Sequence, residues 1–425
     1  MSVKTRLIIM NFLQFAVWGA YLTSMGSYLV TVGLGSIIAL FYAMQGIVSI
    51  FMPALVGIVA DKWIPAHRMY GICHAISGMA MLSLGYYAMG NAGGELQVSL
   101  MVALYAISIG FYMPSLSLSY SVAYNALEKA GLDTVTAFPP VRIFGTVGFI
   151  CTMLVVDWLG FQTTYNQFLL SGVLSILLAV YSFTLPECPI DRDKTKKSLV
   201  EALGLKAFTL FKERKMAVFF IFSMLLGVAL QITNSFANPF ITSFKAIPEF
   251  ADSFGANHAN ALISISQCSE TVCILLIPFF LKRYGIKNVM LIAMLAWVFR
   301  FGFFGLGDPG SGVWMFIVSM IVYGVAFDFF NISGSLFVDQ ETSSDMRSSA
   351  QGLFMLMTNG IGATIGTFGA QLIVNHYTHS VEYEGTFYTV GDWSSAWYIF
   401  AAYSLVLSIA FALIFKYKHQ PAVVK

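Results

Sequence analysis

The amino-acid sequence predicts an all-α membrane protein with twelve transmembrane helices in two six-helix halves. Three observations lead to this prediction: an apolar composition, apolar runs of membrane-spanning length, and basic residues confined to alternate loops. Of the 425 residues, 58% are hydrophobic and 10% are charged, and the mean hydropathy is +0.76. Soluble domains carry about 25% charged residues, so this composition excludes a soluble globular protein.

Twelve apolar runs are long enough to cross a membrane, which takes about 20 residues at a rise of about 1.5 Å per residue. The first run lacks a small-residue cleavage site, so we expect it to be retained as a span. The predicted spans cover residues 7–30, 36–60, 67–90, 96–121, 135–158, 166–185, 216–241, 258–281, 287–306, 312–334, 347–373 and 393–415.

A polar connection of mixed charge, residues 191–215, separates the sixth span from the seventh. We therefore predict an N-terminal six-helix half over residues 1–190, a cytoplasmic linker over 191–215, and a C-terminal six-helix half over 216–425. Each half has a basic residue followed by an aromatic one after its second span, at Lys62-Trp63 and Arg283-Tyr284. This weak symmetry indicates two repeats with substrate bound near the midplane between them.

The basic residues predict the orientation of the chain. Of the 23 lysines and arginines, Lys245 falls in a loop of the opposite set and Arg142 and Arg300 lie within spans. The others lie near the termini or in the loops that follow even-numbered spans. Cytoplasmic loops are rich in Lys and Arg, so both termini are predicted to be cytoplasmic.

The sequence contains little that suggests an enzyme, a metal site or a cofactor. The five cysteines are scattered without disulfide or metal spacing, and Cys73-His74 is expected to be packing. A membrane enzyme could use a metal cluster of His376, His379, Glu382 and Glu384, but these residues lie in a predicted external loop with no helix to fix their geometry. A phosphate-binding loop of the Gly-x-x-x-x-Gly-Lys-Ser/Thr type is absent, so drive by ATP hydrolysis within this chain is not expected.

Ionisable residues lie deep within four predicted spans: Arg142, Glu270, Arg300 and Asp328. Each costs roughly 2.5 to 3.5 kcal/mol at a helix centre on insertion scales, so such residues usually line a functional cavity. The alternative is a buried ion pair or a snorkelling side chain that only holds helices together.

Polar and aromatic neighbours share helix faces with these ionisable residues, at spacings of three, four or seven residues. Interhelical hydrogen bonding or plain packing could explain individual members. Taken together they form a candidate substrate site: Arg142, Thr146, Phe149, Gln231, Asn234, Gln267, Glu270, Tyr323, Phe327 and Asp328.

The side chains of the candidate site have the chemistry needed to bind polar heterocycles or sugars. Amides donate and accept, so Gln231, Asn234 and Gln267 can match a base edge or ribose hydroxyls. A carboxylate can bridge two hydroxyls, and aromatic rings can stack on a flat ring. Glu270 and Asp328 are also candidate proton carriers, because an acid in a cavity can exchange its proton within the physiological range.

Several strings closely resemble the nucleoside:proton symporter family of the major facilitator superfamily, the bacterial nucleoside permeases: MPALVGIVADKW, FPPVRIFGTVGFI, FFIFSMLLGVALQITN, SISQCSET, FFLKRYGIKNVM and VYGVAFDFFNISGS. The resemblance covers residues 10–418 and implies the major facilitator fold. The superfamily's loop motif is present as Gly57, Asp61 and Lys62, and it departs from the pattern at Trp63. In the superfamily this loop takes part in gating, so the departure at Trp63 bears on gating and not on the fold.

The resemblance implies import of nucleosides with protons by alternating access, with the ligands drawn from the candidate site. It further implies a monomeric, multi-pass protein of the bacterial cytoplasmic (inner) membrane, which contacts lipid and binds no nucleic acid. Two alternatives remain open: transport of xanthosine, or of another sugar-like solute.

Overall fold

The computed structural model describes residues 2–188, 205–343 and 346–417. Residues 191–204 of the predicted linker (191–215) and the basic residues of the tail beyond 417 lie outside the described residues, as do the side chains of Asp61 and Lys62. Two compact units, Met1–Ala202 and Leu203–Lys425, divide the chain. Their boundary falls within the predicted linker.

The first unit is built from α-helices joined by short turns. Within it, α1 packs on α6, α3 packs on α5, and α4 packs on both α5 and α7. The helices are α1 (Val3–Gly19), α2 (Met25–Thr31), α3 (Ile38–Lys62), α4 (Ala66–Gly90), α5 (Val98–Lys129), α6 (Thr134–Trp158) and α7 (Asn166–Tyr181), with 3₁₀ turns at Gly35–Ile37, Phe161–Thr163 and Ser182–Thr184.

The first predicted span is broken between α1 and α2, which the sequence did not indicate. The Gly26 amide donates to the Tyr42 hydroxyl at 3.3 Å, and that hydroxyl donates to the Leu22 carbonyl at 2.6 Å. A continuous helix would join Gly26 directly to Leu22. The Tyr42 hydroxyl therefore replaces the direct backbone hydrogen bond between Gly26 and Leu22. A side chain inserted in this way is a known cause of helix kinks.

A buried polar network links four helices of the first unit. Gln14 is at its centre: its Oε1 accepts from the Tyr70 hydroxyl at 2.7 Å and lies 2.8 Å from His74 Nε2, and its Nε2 donates to Ser115 Oγ at 2.9 Å. The other ring nitrogen of His74 lies 3.1 Å from Ser175 Oγ. His74 is thus a hydrogen-bonded member of the core, more than the simple packing residue expected from sequence.

The second unit repeats the helical architecture and adds a hairpin. Within it, α8 packs on a π-helix and on α13, and α10 packs on α11 and α14. Its elements are α8 (Arg214–Ser243), α9 (Phe254–Asn257), α10 (Ala259–Leu306), α11 (Val313–Glu341), α12 (Arg347–Met355), the π-helix (Leu356–Gly362), α13 (Ala363–Tyr377), β1 (Thr378–Tyr383), β2 (Thr386–Gly391) and α14 (Trp393–Ile414), with 3₁₀ turns at Leu205–Lys212 and Phe244–Ala246.

Ten helical segments of the described residues are long and apolar enough to cross a membrane. Helix α1, with 17 residues, is not among them. Helix α10, with 48 residues, counts once, although Gly285 interrupts it with φ 76° and ψ 167°. The prediction of a helical membrane protein is confirmed, and the count of twelve crossings stays a prediction.

The loop predicted between the last two spans contains the β-hairpin, a short addition to the helical fold that was not predicted from the sequence. Tyr383 pairs with Thr386, and the two residues between them, Glu384 and Gly385, have φ 51° and 73°. Positive φ at both positions is typical of a type I′ turn, whose twist suits a two-residue hairpin. Among the described residues, no group of three or more His, Cys, Asp or Glu side chains is placed to hold a metal.

Helix α14 begins at a well-formed N-cap just after the hairpin. The Asp392 carboxylate accepts from Ser395 Oγ at 2.6 Å and from the Ser395 amide at 3.0 Å. These two hydrogen bonds hold the pKa of Asp392 below its usual value. This exposed acid has partners for both of its oxygens.

Candidate functional site

In the first unit, Arg142 is held by residues of two neighbouring helices. Its Nε donates to the Tyr120 hydroxyl at 3.1 Å, and its guanidinium carbon lies 4.0 Å from the centre of the Phe15 ring. The side chain is half-buried. The arginine is therefore positioned by α5 and α1, with other donors of its guanidinium available to a ligand.

Two glycines allow α6 to lie directly against α1. A Cβ at Gly148 would come within 2.1 Å of the Phe12 carbonyl oxygen, and one at Gly145 within 2.6 Å of the Phe15 ring. Small residues of this kind let membrane helices approach closely. This approach explains why Arg142 meets a residue of α1.

Phe149 and Thr146, the other predicted site residues of this unit, differ in exposure. Phe149 is 6% exposed and packs edge-on against Trp18, with ring centres 6.4 Å apart. Thr146 is half-buried. The indole Nε1 of Trp18 is buried without a hydrogen-bond partner in the described part of the chain, and sequence reasoning overlooked it.

In the second unit, the structure brings the predicted amide pair together. Asn234 Nδ2 donates to Gln231 Oε1 at 2.9 Å across one turn of α8. Gln231 is buried and Asn234 half-buried. This bond fixes both amides, and it leaves a donor on Gln231 and an acceptor on Asn234 for other partners.

The two predicted acids lie close together on neighbouring helices. Glu270 is half-buried, and its carboxylate is within electrostatic range of Asp328 and Tyr323. Asp328 is 5% exposed, and its Oδ2 is buried with no hydrogen-bond partner among the described residues. Gln267 is half-buried one turn before Glu270.

A close contact between α10 and α11 holds these side chains side by side. A Cβ at Gly324 would lie 2.7 Å from the backbone of Ser269, which adjoins Glu270 in sequence. On α11, Tyr323 and Phe327 stack with ring centres 5.7 Å apart and planes at 10°. Two of the three predicted aromatic residues, Tyr323 and Phe327, therefore form a platform beside the acids.

Arg300 is a further member of this cluster that the sequence noted but left out of the site. It is fully buried, its Nη1 donates to the Ser319 carbonyl at 2.8 Å, and its guanidinium lies 4.6 Å from the centre of the Tyr323 ring. Its Nη2 has no hydrogen-bond partner in the described residues. Tyr323 is thus within electrostatic range of a buried cation and of both acids.

A pocket opens next to the aromatic platform. Phe327 and Trp297 line it together with two amides from different helices, Asn331 and Asn359. Sequence reasoning missed both amides because it searched for polar residues paired within one helix. No short-range pattern could have brought these two together.

Comparison with known proteins gives a consistent family. A family described as nucleoside H+ symporter matches residues 1–420. The nucleoside permease NupG of Escherichia coli strain K12 is 47% identical over 99% of this chain and 97% of its own length. The xanthosine permease of the same strain is 46% identical over 100% and 99%. A crystal structure of a NupG mutant has a TM-score of 0.91 at 46% identity, covering 98% of this chain and 100% of that chain.

Proposed function

Because the chain belongs to the nucleoside H+ symporter family, we propose that it imports nucleosides together with protons across the bacterial inner membrane. The chain is a transporter and its relatives are permeases, not enzymes. The observation that carries the proposal is the pair formed by Glu270 and Asp328 beside a platform of stacked aromatic rings, with Asp328 Oδ2 buried and lacking a hydrogen-bond partner among the described residues.

The proposal takes the major facilitator fold with twelve crossings. Helices α1 and α2 together make one crossing, and Gly285 divides α10 into two. Helix pairing supports a repeat: the first crossing packs on the fifth as the seventh packs on the eleventh, and the third on the sixth as the ninth on the twelfth. The transporter then works by alternating access as a single chain, with both termini cytoplasmic as the basic residues indicate.

Substrate binding is assigned to the predicted residues by their chemistry. The Gln231 and Asn234 pair offers a donor and an acceptor to sugar hydroxyls or a base edge. Arg142 offers guanidinium donors, and Tyr323 with Phe327 offers a stacking surface. Thr146, Phe149 and Gln267 complete the proposed set.

Proton coupling is assigned to Glu270 and Asp328. Two carboxylates that share a buried site repel each other when both are charged, so such a pair favours holding a proton. A proton taken from outside and lost inside would change the charge of the site once in each cycle. The buried Arg300 supplies the compensating positive charge through the face of Tyr323.

Xanthosine is the second candidate substrate. The xanthosine permease is 46% identical to this chain, almost the same as NupG at 47%. Sequence identity to these two relatives therefore does not distinguish a transporter of many nucleosides from a transporter of xanthosine.

Labelled uptake into cells that lack nucleoside transport tests the proposal. Uridine, adenosine, xanthosine and a free sugar are offered as competitors, with and without a protonophore. We expect at least one nucleoside to be accumulated and the protonophore to abolish accumulation. Uptake of the sugar alone would overturn the substrate, and accumulation that resists the protonophore would overturn the coupling.

A further inference from the structure

We propose that the pocket lined by Phe327, Asn331 and Asn359 holds the base of the nucleoside, and that the two asparagines read its edge. This inference rests on the proposed function and makes it more specific. It assigns base selection to the second unit and to two residues outside the candidate site that the sequence predicted.

The π-helix, Leu356–Gly362, shapes one wall of the pocket. A π-helix places side chains differently from an α-helix and often occurs at functional sites. Hydroxyls bond to carbonyls within and beside it: Thr358 donates to Phe354 at 2.9 Å and Thr364 to Gly360 at 2.7 Å. The widened turn is thus supported internally.

Close packing against α8 holds this wall in place. A Cβ at Gly227 would lie 2.1 Å from the Thr358 carbonyl oxygen, and one at Gly362 would lie 2.2 Å from the Met224 carbonyl oxygen. With both backbones in contact, the π-helix cannot move toward α8. Asn359 is therefore presented from a fixed segment, as selective recognition requires.

Both amides are available to a ligand. Asn331 lies one turn after Phe327 on α11, is half-buried, and makes no side-chain hydrogen bond within the part of the chain that the structure describes. Asn359 is also half-buried, and its Nδ2 lies 3.8 Å from the sulfur of Met355, which is a weak acceptor. Together the two side chains offer two donors and two acceptors toward one pocket.

The walls of the pocket suit a flat ring. Phe327 and Trp297 supply aromatic walls. Leu230 also lines the pocket and precedes Gln231 on α8, so the pocket adjoins the amide pair that can bind the sugar.

The test compares nucleosides that differ only at the base edge. Uptake competition is measured with adenosine against purine riboside, which lacks the exocyclic amino group, and with uridine against 4-deoxyuridine. The variants are Asn331→Leu, Asn359→Leu and Asn359→Asp. Asn288→Leu is the matched control, since that exposed amide bonds to its own helix through Tyr284.

We expect the wild type to prefer the complete base of at least one pair by about tenfold or more, because a site built to bond a polar group rejects the analogue that lacks it. Each Leu variant should reduce that preference to about twofold while it still takes up the analogue, and Asn359→Asp should change which base is preferred. The control should keep the wild-type ratio.

The failures can be told apart. If the wild type takes up no nucleoside, the proposed function is wrong. If the wild type discriminates and both Leu variants keep the same ratio, or if it does not discriminate in either pair, the inference about the asparagines is wrong. Uptake of the analogue reports that a variant is folded, so a misfolded protein cannot imitate the expected result.

Discussion

The two units pair their helices in the same order, but they differ in whether buried charged groups lack a hydrogen-bond partner. In the first, the network around Gln14 bonds Tyr70, His74, Ser115 and Ser175. The buried side-chain atoms of this unit that have no partner among the described residues, such as Trp18 Nε1, belong to neutral side chains. In the second, Asp328 and Arg300 each keep one buried atom without a hydrogen-bond partner in the described residues.

This difference separates two uses of polarity inside a membrane. A satisfied network costs little and holds helices together. An unsatisfied buried group costs about 1–3 kcal/mol, more when charged, and is retained where a ligand or proton meets it during function. The first unit is therefore expected to contribute rigidity here, and the second the working charges.

The largest effect is expected at Asp328. Asp328→Asn removes one charge from the acid pair and should reduce nucleoside accumulation to the level seen with a protonophore, at least tenfold below wild type. Labelled uptake in reconstituted vesicles with an imposed pH gradient measures it. Asp339→Asn is the control on the same helix, because Asp339 is paired with Arg347 at 2.8 Å on the exposed side. Wild-type accumulation by Asp328→Asn would refute the role of this acid.

Glu270→Gln tests whether Glu270 carries the proton or chiefly binds the substrate. We expect it to impair proton-driven accumulation about tenfold while nucleoside exchange across the same vesicles stays within about twofold, because exchange needs no net proton cycle. The tenfold change corresponds to about 1.4 kcal/mol. Equal loss of both activities would make Glu270 chiefly a substrate ligand. Opposite outcomes for Glu270 and Asp328 would assign the two roles.

Gly148→Ala tests whether the close contact between α6 and α1 stabilises the first unit. The new Cβ would meet the Phe12 carbonyl oxygen at 2.1 Å, so the free energy of unfolding should fall by about 3 kcal/mol. Thermal unfolding in detergent measures the change. Gly302→Ala is the control, since nothing lies within 4 Å of its Cβ, and it should be neutral or stabilising. Equal melting temperatures for the two variants would contradict the packing.

Gln14→Leu tests the satisfied network. It removes the partner of Tyr70, His74 and Ser115, and should lower the free energy of unfolding by about 2 kcal/mol while the KM for nucleoside changes less than about twofold. Unfolding and uptake are measured on the same preparation, with Ser83→Ala, an exposed helix hydroxyl, as control. A large change in KM with unchanged stability would indicate that this network is part of the transport site.

The smallest effect is expected at Asp392, an acid with both oxygens bonded. Its pKa is lowered by Ser395, so its stabilising contribution is complete above the ordinary carboxyl pKa of about 3.9 and is lost as pH falls through the lower folded value. The protection factor at the start of α14, which is the exchange rate of an unstructured amide divided by the observed rate at the same pH, should therefore fall only under acid conditions. Ser395→Ala should remove part of that pH dependence, and transport should be unaffected. A protection factor that is independent of pH would contradict the cap.

Some parts of the fold could be predicted from the sequence and others could not. Helix positions follow from long apolar runs, and α14 at Trp393–Ile414 matches the predicted 393–415 closely. The break near Gly26 could not be predicted, because it depends on a hydroxyl from another helix. The hairpin was missed because its short strands lie in a segment expected to be an irregular loop.

The same reasoning applies to the site. Glu270 and Asp328 were found because charge within an apolar run is conspicuous, and Gln231 with Asn234 because both lie on one helix face. Asn331 and Asn359 are neutral and lie on separate elements, so only tertiary structure unites them. Arg300 was visible in the sequence, but its relation to Tyr323 was not.

The Tyr42 hydroxyl has a consequence for how the protein is made. Hydrocarbon offers no partner for backbone groups, and Leu22 and Gly26 take their kinked arrangement through a residue of α3 that is synthesised later. The segment from α1 to α2 therefore reaches its final shape only when α3 lies beside it. Assembly of the N-terminal end in the bilayer is expected to proceed by pairing of these helices, with the kink appearing at the moment of docking.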